Sequence, residues 1–264
     1  MKISTTTKAA GGMADLLRKI RSKGFRGTSR SIAYRMLLWG EWIRGKYFEW
    51  KLGISTAGII PSDALGHPHA DYHEYDPAYY GSIHTIMRAL DLRRGNDVFI
   101  DFGSGKGRVL IVAAMYPFQR MIGVEFSPEL NDIAQQNIQR ALKWTKCQNI
   151  EAIAVDAAVY EVHDDAAVLY FQNPFSGEIL GKVLENIKAS LMRTPRRISL
   201  ISHSHHPTNP FEQQIRMCPW MQRGAEVRLQ RGTRAWIYTN AQWSGARIGL
   251  RSPVSASPSV SDAL

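Results

Sequence analysis

The segment Val98–Arg108, VFIDFGSGKGR, contains a glycine-rich loop of the kind that brings main chain close to a ligand. Glycine has no Cβ, so a loop of this composition lets a bound molecule approach the backbone. An apolar stretch precedes the loop and an apolar helical pattern follows it, which is the context in which such loops bind nucleotides and nucleoside-containing cofactors. The residues concerned are Asp101, Gly103, Ser104, Gly105 and Gly107.

The spacing of the glycines argues against both phosphate-binding motifs. A P-loop requires Gly-x-x-x-x-Gly-Lys-Ser/Thr. Ile100 stands where its first glycine would be, and Gly107 stands where the Ser/Thr would be. A dinucleotide-binding loop requires Gly-x-Gly-x-x-Gly, but here the third glycine comes one residue early. The remaining candidate ligand for this loop is an adenosine-containing cofactor without phosphates.

Three further polar positions follow apolar segments along the chain. Glu125 lies 20 residues beyond Gly105, at the end of the segment RMIGVEF, and a carboxylate there accepts hydrogen bonds from both ribose hydroxyls. Asp156 follows the segment IEAIAV, and Asn173 follows AAVLYFQ. Since open α/β sheets bind ligands at the carboxyl ends of their strands, we expect these side chains to meet at one edge.

The glycine-rich loop and the segments containing Glu125, Asp156 and Asn173 form four motifs. In this order they resemble those of the class I S-adenosylmethionine (SAM) dependent methyltransferases, over about residues 75–240. The nearest likeness is to bacterial methyltransferases with a D-[LF]-G-S-G-K-G-R core, a G-V-E-[FL]-S-P segment and N-P-F. At these points the chain is also similar to the Dot1-type histone lysine methyltransferases and the ATP-synthase-lysine methyltransferases. Asn173-Pro174-Phe175 resembles the [DN]-P-P-[FYW] motif of amino-group methyltransferases with one proline missing.

The resemblance implies SAM as the cofactor and a set of residues that bind it. Asp101 lies near the ammonium group, Glu125 binds the ribose, and Asp156 meets the adenine amino group. The segment containing Tyr75 and Pro77 covers the pocket. The cofactor-binding residues so implied are Tyr75, Asp101, Gly103, Ser104, Gly105, Gly107, Glu125, Phe126, Asp156 and Ala157.

The resemblance also implies an acceptor site at Asn173, Pro174 and Phe175. The Asn173 side-chain oxygen and the Pro174 or Gln172 carbonyl align the N–H bonds of an amine, and Phe175 closes the site. We therefore expect methyl transfer to an amino nitrogen, of a protein lysine or a similar group. The alternatives are a small-molecule O- or N-methyltransferase and a non-catalytic module that binds SAM or nucleic acid. An NAD-dependent oxidoreductase explains neither Asp101 nor N-P-F.

Two histidine-rich segments suggest a metal ion or a general base. SHSHH covers residues 202–206, and HPHADYHEYDP covers residues 67–77. Three histidines at His203, His205 and His206 lack a fourth ligand of matching spacing, so no metal is expected. A histidine base suits an O-methyltransferase, because a hydroxyl group must lose its proton.

Alternation of apolar segments and amphipathic helices after residue 90 predicts the elements that position these residues. The fold expected is α/β: a Rossmann-like class I methyltransferase fold with a mostly parallel seven-stranded sheet, a C-terminal β-hairpin and a helical N-terminal extension. The domains expected are a basic, flexible arm (1–30), a helical lid region (31–90), a SAM-binding domain (91–245) and a disordered tail (246–264).

The net charge of +10 is concentrated near the N-terminus. Residues 1–51 hold 12 Lys/Arg and three Asp/Glu, a net charge of +9, so the rest of the chain carries only +1. Three anionic partners could bind this basic arm, namely nucleic acid, anionic lipid and an acidic protein. The alternative is that the arm only keeps the protein in solution. Two cysteines and no signal peptide or transmembrane segment predict a cytoplasmic protein.

Overall fold

The computed structural model describes residues 39–66, 71–93, 95–204, 210–230 and 233–240. The predicted basic arm, the predicted tail, and His67, His69, His205 and His206 lie outside these residues. The chain divides into two compact units, of which the first ends at Phe48 and the second begins at Glu49. All residues of the candidate site belong to the second unit.

A seven-stranded sheet forms the centre of the second unit, as the sequence predicts. The strands are β1 (Val98–Phe102), β2 (Arg120–Glu125), β3 (Ile150–Ala154), β4 (Ala166–Phe171), β5 (Ser199–Ser204), β6 (Met221–Arg228) and β7 (Arg234–Asn240). Their spatial order is β3-β2-β1-β4-β5-β7-β6. The first five strands are parallel, while β7 pairs antiparallel with both β5 and β6. This arrangement is the Rossmann-like α/β fold with a C-terminal hairpin.

Six helices lie in the described part of the chain, two before β1 and the others between strands. They are α1 (residues 39–52), α2 (Tyr80–Ala89), α3 (Arg108–Ala113), α4 (Pro128–Ala141), α5 (Gly177–Arg193) and α6 (Pro210–Arg216). Short 3₁₀ turns lie at Ser62–Leu65 and Leu142–Trp144. Five predicted helices fall wholly or partly on described residues, and all five are observed as α1 to α5. Helix α6 was not predicted, because its seven residues show too short a pattern.

The central strands are buried over their whole length, which explains why they read as continuous apolar segments rather than alternating ones. Every residue of β1 and β4 is buried. The start of α4 is also as predicted: Ser127 is its N-cap, and the Ser127 hydroxyl accepts a hydrogen bond from the Leu130 amide. These features fix the carboxyl ends of β1 to β4 along one edge of the sheet.

No helix among the described residues has the length and apolar character needed to cross a membrane.

Candidate active site

A pocket at the carboxyl edge of the parallel strands brings together most of the predicted site residues. Ten of the thirteen line it; the other three, Gly105, Gly107 and Asp156, do not. The ten are Tyr75, Asp101, Gly103, Ser104, Glu125, Phe126, Ala157, Asn173, Pro174 and Phe175. Sequence order and strand order together therefore predict the location of the site.

The glycine loop after β1 is covered by other parts of this chain. A Cβ at Gly103 would lie 2.4 Å from Cβ of Pro174, and a Cβ at Gly105 would lie 2.2 Å from the Tyr75 ring. Both glycines have positive φ, of 75° and 53°. The glycines are therefore required by contacts within the protein, besides any approach of a ligand to the main chain.

Asp101 lies near the end of β1 and is almost fully buried, with 1% of its surface exposed. Its Oδ2 atom has no hydrogen-bond partner. Burial, and then the nearby charge of Glu125, raise the pKa of Asp101 well above its ordinary value. A buried carboxyl oxygen without a donor is costly, and a cationic ligand group in the pocket would supply one.

Glu125 ends β2 and is held by the loops on either side. One of its carboxylate oxygens accepts a hydrogen bond from the Gly105 amide (2.7 Å), and the other accepts one from the Ser127 amide (2.9 Å). Burial raises the pKa of Glu125, although these amides oppose the shift. Each oxygen keeps a second lone pair, so the pair of oxygens can still accept two hydroxyl groups.

Asp156 follows β3 and lies behind Tyr72 instead of lining the pocket. The Tyr72 hydroxyl donates to Oδ1 of Asp156, which also accepts the Ala158 amide at 2.8 Å. The Tyr72 ring lies 5.3 Å from the Phe126 ring, measured between centroids. Tyr72 lines the pocket, is buried, and was not among the predicted residues.

Asn173 follows β4 in a conformation that few residues adopt. Its φ is +48°, the only positive value of a non-glycine residue in the described part of the chain. The side-chain Oδ1 is buried without a hydrogen-bond partner, while the main-chain oxygen lies 2.8 Å from Nδ1 of His73. The Pro174 carbonyl accepts the His73 amide at 3.0 Å. The Pro174 carbonyl is therefore occupied by the lid, whereas the Asn173 side-chain oxygen has no hydrogen-bond partner in the described part of the chain.

Phe175 lines the pocket and also belongs to the core below it. Its ring is 2% exposed and packs edge-on against Phe171 and Tyr72, with centroid distances of 6.1 and 6.2 Å. These contacts fix the turn after β4 from below. Phe175 thus forms the floor of the acceptor end of the pocket.

Residues 71–78, hereafter the lid, cross the pocket and are bonded at both ends. Asp71 accepts the Glu178 amide at the start of α5. Near the other end, the Ala78 carbonyl accepts a hydrogen bond from Arg108 at 2.8 Å. Between them, the Tyr75 hydroxyl donates to the Thr56 carbonyl at 2.7 Å. The lid contains Tyr75 and Pro77, both of which line the pocket as expected.

Arg108 ties the lid and the residues before it to the glycine loop. Its guanidinium is buried and donates to Thr56 Oγ1 (2.8 Å) and Glu49 (3.3 Å), besides the Ala78 carbonyl. It also lies 4.5 Å from the centroid of the Tyr80 ring. Glu49 receives the Thr56 amide and hydroxyl as well, so its buried charge is fully paired.

His203 lies within β5 and does not line the pocket. It is fully buried, and its Nδ1 lies 2.6 Å from the Tyr170 hydroxyl. A histidine in this position has no path to a bound acceptor, so the structure does not support the general-base interpretation of His203. Among the described residues, no cluster of three or more His, Cys, Asp or Glu side chains is arranged to hold a metal ion.

The pocket fits SAM on the observations above. The cofactor carries an ammonium group, which the unpartnered Asp101 oxygen would accept, and ribose hydroxyls, which Glu125 would accept. A seven-stranded sheet of this order, with these carboxylates at the ends of β1 and β2, defines a class I SAM-dependent methyltransferase.

Comparison with known proteins identifies the family. Residues 69–203, more than half of the 264 residues, match the family model described as histone methylation protein DOT1. The chain belongs to this family and is a SAM-dependent methyltransferase. No curated protein matches the sequence.

Several solved structures of methyltransferases are similar to part of this chain. An RNA methyltransferase from Salinibacter ruber, in complex with S-adenosyl-L-homocysteine, has 20% identity and a TM-score of 0.46, over 62% of this chain and 94% of its own. A SAM-dependent methyltransferase from Aquifex aeolicus has 12% identity and a TM-score of 0.48, over 61% and 90%. A putative methyltransferase from Pseudomonas syringae has 11% identity and a TM-score of 0.48, over 60% of this chain and 96% of its own. Nothing about the methyl acceptor follows from these values.

Several pocket residues were not predicted from the sequence, among them Tyr72, His73, Arg108 and the side chain of Gln172. Arg108 ends the glycine-rich motif itself, so the motif contained the signal for it. Tyr72 and His73 stand in the histidine-rich segment before α2, where no periodicity indicates which side chains point inward. The Gln172 side chain donates to the Asp76 carbonyl and closes the lid over the end of β4.

Proposed function

We propose that this methyltransferase transfers the methyl group to an amino nitrogen, of a protein lysine side chain or a closely similar primary amine. The observation that carries the proposal is the buried, unpartnered Oδ1 of Asn173 at the acceptor end of the pocket. A carbonyl oxygen only accepts hydrogen bonds, so its natural partner is a group with an N–H bond. An amine offers that bond and keeps its lone pair for the methyl carbon.

The charge of the pocket supports a cationic substrate. Glu74 and Asp76 are exposed on the lid and line the mouth, and Asp101 and Glu125 line the interior. Arg108 is the only Lys or Arg among the described residues that line the pocket, and its charge is paired with Glu49. A negative pocket in a chain of net charge +10 favours positively charged molecules at this one place.

The residues have the following functions in the proposed reaction. SAM, when bound, supplies an electrophilic methyl group on a sulfonium. Asp101 and Glu125 bind the cofactor at its ammonium and ribose, and Asp156 supports the adenine end through Tyr72, which lines the pocket. Asn173 accepts a hydrogen bond from the amine and orients it so that the nitrogen lone pair faces the methyl carbon of the cofactor. Most of the rate gain comes from this alignment, because the reaction needs little beyond an in-line nucleophile.

The lid and Phe175 bury the reacting atoms. Tyr75 covers the glycine loop, and Gln172 bonds the lid to the end of β4. Closure excludes water, which strengthens the hydrogen bond from the amine to Asn173. The enzyme then accepts the neutral amine, since an ammonium group has no lone pair.

The acceptor can be identified with isotope-labelled SAM. We would incubate the protein with methyl-labelled SAM and an extract of cells in which its gene is deleted, and analyse proteins, RNA and small molecules separately by mass spectrometry. The proposal expects label on lysine side chains, absent with Asn173→Ala. Label confined to RNA or to hydroxyl groups of small molecules would overturn it.

We also propose a cytoplasmic location and an anionic partner for the basic arm. Cys147 and Cys218 are both free thiols, as in a reducing compartment. The +9 charge of residues 1–51 supports an anionic partner, and loss of partner binding at raised salt would test it.

A further inference from the structure

We propose that His73 is a positioning residue, which holds the turn after β4 so that Oδ1 of Asn173 faces the acceptor. The inference rests on the proposed function, because it assumes that Asn173 binds the amine. It adds a residue from the lid, 100 positions earlier in the chain, to the acceptor site.

His73 makes three contacts with the turn, each to a different residue. Its amide donates to the Pro174 carbonyl at 3.0 Å, and its Nδ1 lies 2.8 Å from the Asn173 carbonyl oxygen. Its Nε2 lies 3.4 Å from Ser176 Oγ. The carbonyls of Asn173 and Pro174 are thereby both bonded to His73, one by its side chain and one by its amide.

These contacts fix the tautomer of the imidazole. A carbonyl oxygen has no proton to give, so Nδ1 of His73 carries the hydrogen and donates it to Asn173. In the neutral ring Nε2 is then an acceptor, and the Ser176 hydroxyl donates to it. The Asn173 carbonyl therefore selects the tautomer, and the Ser176 hydroxyl is compatible with it because it can donate to Nε2.

The turn requires such support because two of its features are unfavourable. Asn173 has a left-handed backbone conformation, which persists in non-glycine residues only where the surroundings enforce it. Its Oδ1 is buried without a partner. Without the bond from His73, Asn173 is expected to relax toward negative φ, and this rotation turns the side chain away from the acceptor.

Two cofactor analogues provide a test that needs no acceptor and no turnover. In sinefungin a CH–NH₃⁺ group replaces the sulfonium S–CH₃, so its amine lies where the transferred methyl group would be. S-adenosylhomocysteine (SAH) lacks any group there. The ratio of the two dissociation constants, measured by calorimetry, reports the hydrogen bond at the acceptor end and cancels effects on the rest of the cofactor site.

Three variants of His73 separate positioning from general stability. His73→Leu removes the side-chain bonds. His73→Asn keeps a donor where Nδ1 stands, whereas His73→Gln keeps a polar group where Nε2 stands. We expect the leucine and glutamine variants to lose the preference for sinefungin by roughly tenfold, as Asn173→Ala does. The asparagine variant should retain it within about threefold, and SAH affinity should change little in all of them.

The outcomes distinguish the two proposals. If Asn173→Ala lowers the preference but His73→Leu and His73→Gln do not, the function of His73 is refuted and that of Asn173 stands. If Asn173→Ala leaves the preference unchanged, the assignment of Asn173 fails, and the inference fails with it. A leucine variant that no longer binds SAH is replaced by the glutamine and asparagine pair, for which equal preferences would refute the inference.

Discussion

Replacing Asp101 by asparagine tests the assignment of the cofactor's ammonium group to the end of β1. The substitution keeps the shape of the side chain and removes its charge. Asp101 Oδ2 has no donor among the described residues, so the ammonium group would be its partner. A hydrogen bond to a charged group contributes about 1.5–3 kcal/mol. We therefore expect Asp101→Asn to weaken SAM binding by roughly 10- to 150-fold.

The pH dependence of binding gives this prediction a second, sharper readout. Burial and Glu125 raise the pKa of Asp101 in the free protein, whereas a bound ammonium group favours the ionised form. SAM binding should therefore release a proton, and affinity should increase as pH rises through the raised pKa. Affinity should fall by up to about tenfold for each pH unit below it. In Asp101→Asn this contribution is absent, and only the weaker dependence due to Glu125 remains.

The stability of the cofactor-free protein should change in the opposite direction. With its folded-state pKa above the unfolded value, Asp101 makes the protein less stable as pH rises from the unfolded pKa through the folded one. Asp101→Asn should raise the free energy of unfolding at neutral pH, and by more than at acidic pH. Denaturation in urea at two pH values measures this difference.

Calorimetry in buffers of different ionisation enthalpy counts the released protons. Asp132→Asn, the same change at an exposed carboxyl on α4, is the matched control and should leave affinity and proton release unchanged. An Asp101→Asn variant that binds SAM as tightly as the parent, or that still releases the same number of protons, would refute the reasoning.

Three further substitutions test the contacts that hold the lid and the cap of α4. Arg108→Met should cost about 3–5 kcal/mol in urea denaturation, because it leaves Glu49 buried and unpaired; an equal loss in the double variant Glu49→Gln/Arg108→Met would contradict this explanation. Tyr72→Phe should weaken SAH binding about two- to tenfold in calorimetry, through the lost bond to Asp156. The same substitution should have no effect in an Asp156→Ala background, which lacks the acceptor, and additive losses would count against the coupling. Ser127→Ala should reduce the free energy of unfolding by about 1 kcal/mol, since it removes the cap of α4. A thermal midpoint unchanged by this last substitution would show that the capping bond contributes nothing.

The parallel strands and the residues at their ends could be predicted because local chemistry determines both. Fully buried strands need continuous apolar segments, and β1 and β4 consist of little else. Glu125 and Asn173 follow such segments directly, so strand order alone brings them to one edge. The Ser127 cap was equally readable, because capping depends on residues three positions apart.

The lid could not be predicted in the same way, because its contacts join residues far apart in sequence. Tyr72 bonds to a residue 84 positions later, and His73 to one 100 positions later. The lid forms only isolated bridges, so no repeating pattern marks its inward side chains. Family resemblance pointed to Tyr75 and Pro77 as residues that cover the pocket, but it did not indicate Tyr72 or His73. Positive φ at Asn173 was also hidden, since asparagine permits this conformation without requiring it.

The position of β7 between β5 and β6 determines when the sheet is completed during synthesis. β7 is the last strand among the described residues, yet it fills an interior place and bonds to both neighbours. Until Arg234–Asn240 leaves the ribosome, β5 has an unpaired edge, and β6 has no strand between it and β5. The strands that carry Asp101, Glu125 and Asn173 are already made by then. Asn240 then joins the end of β7 to the residues before β5, through the Ile198 amide and the Arg196 carbonyl. A nascent chain therefore already contains every residue assigned to the cofactor site while its sheet still has unpaired strand edges. Such edges can pair with strands of other chains until β7 is added.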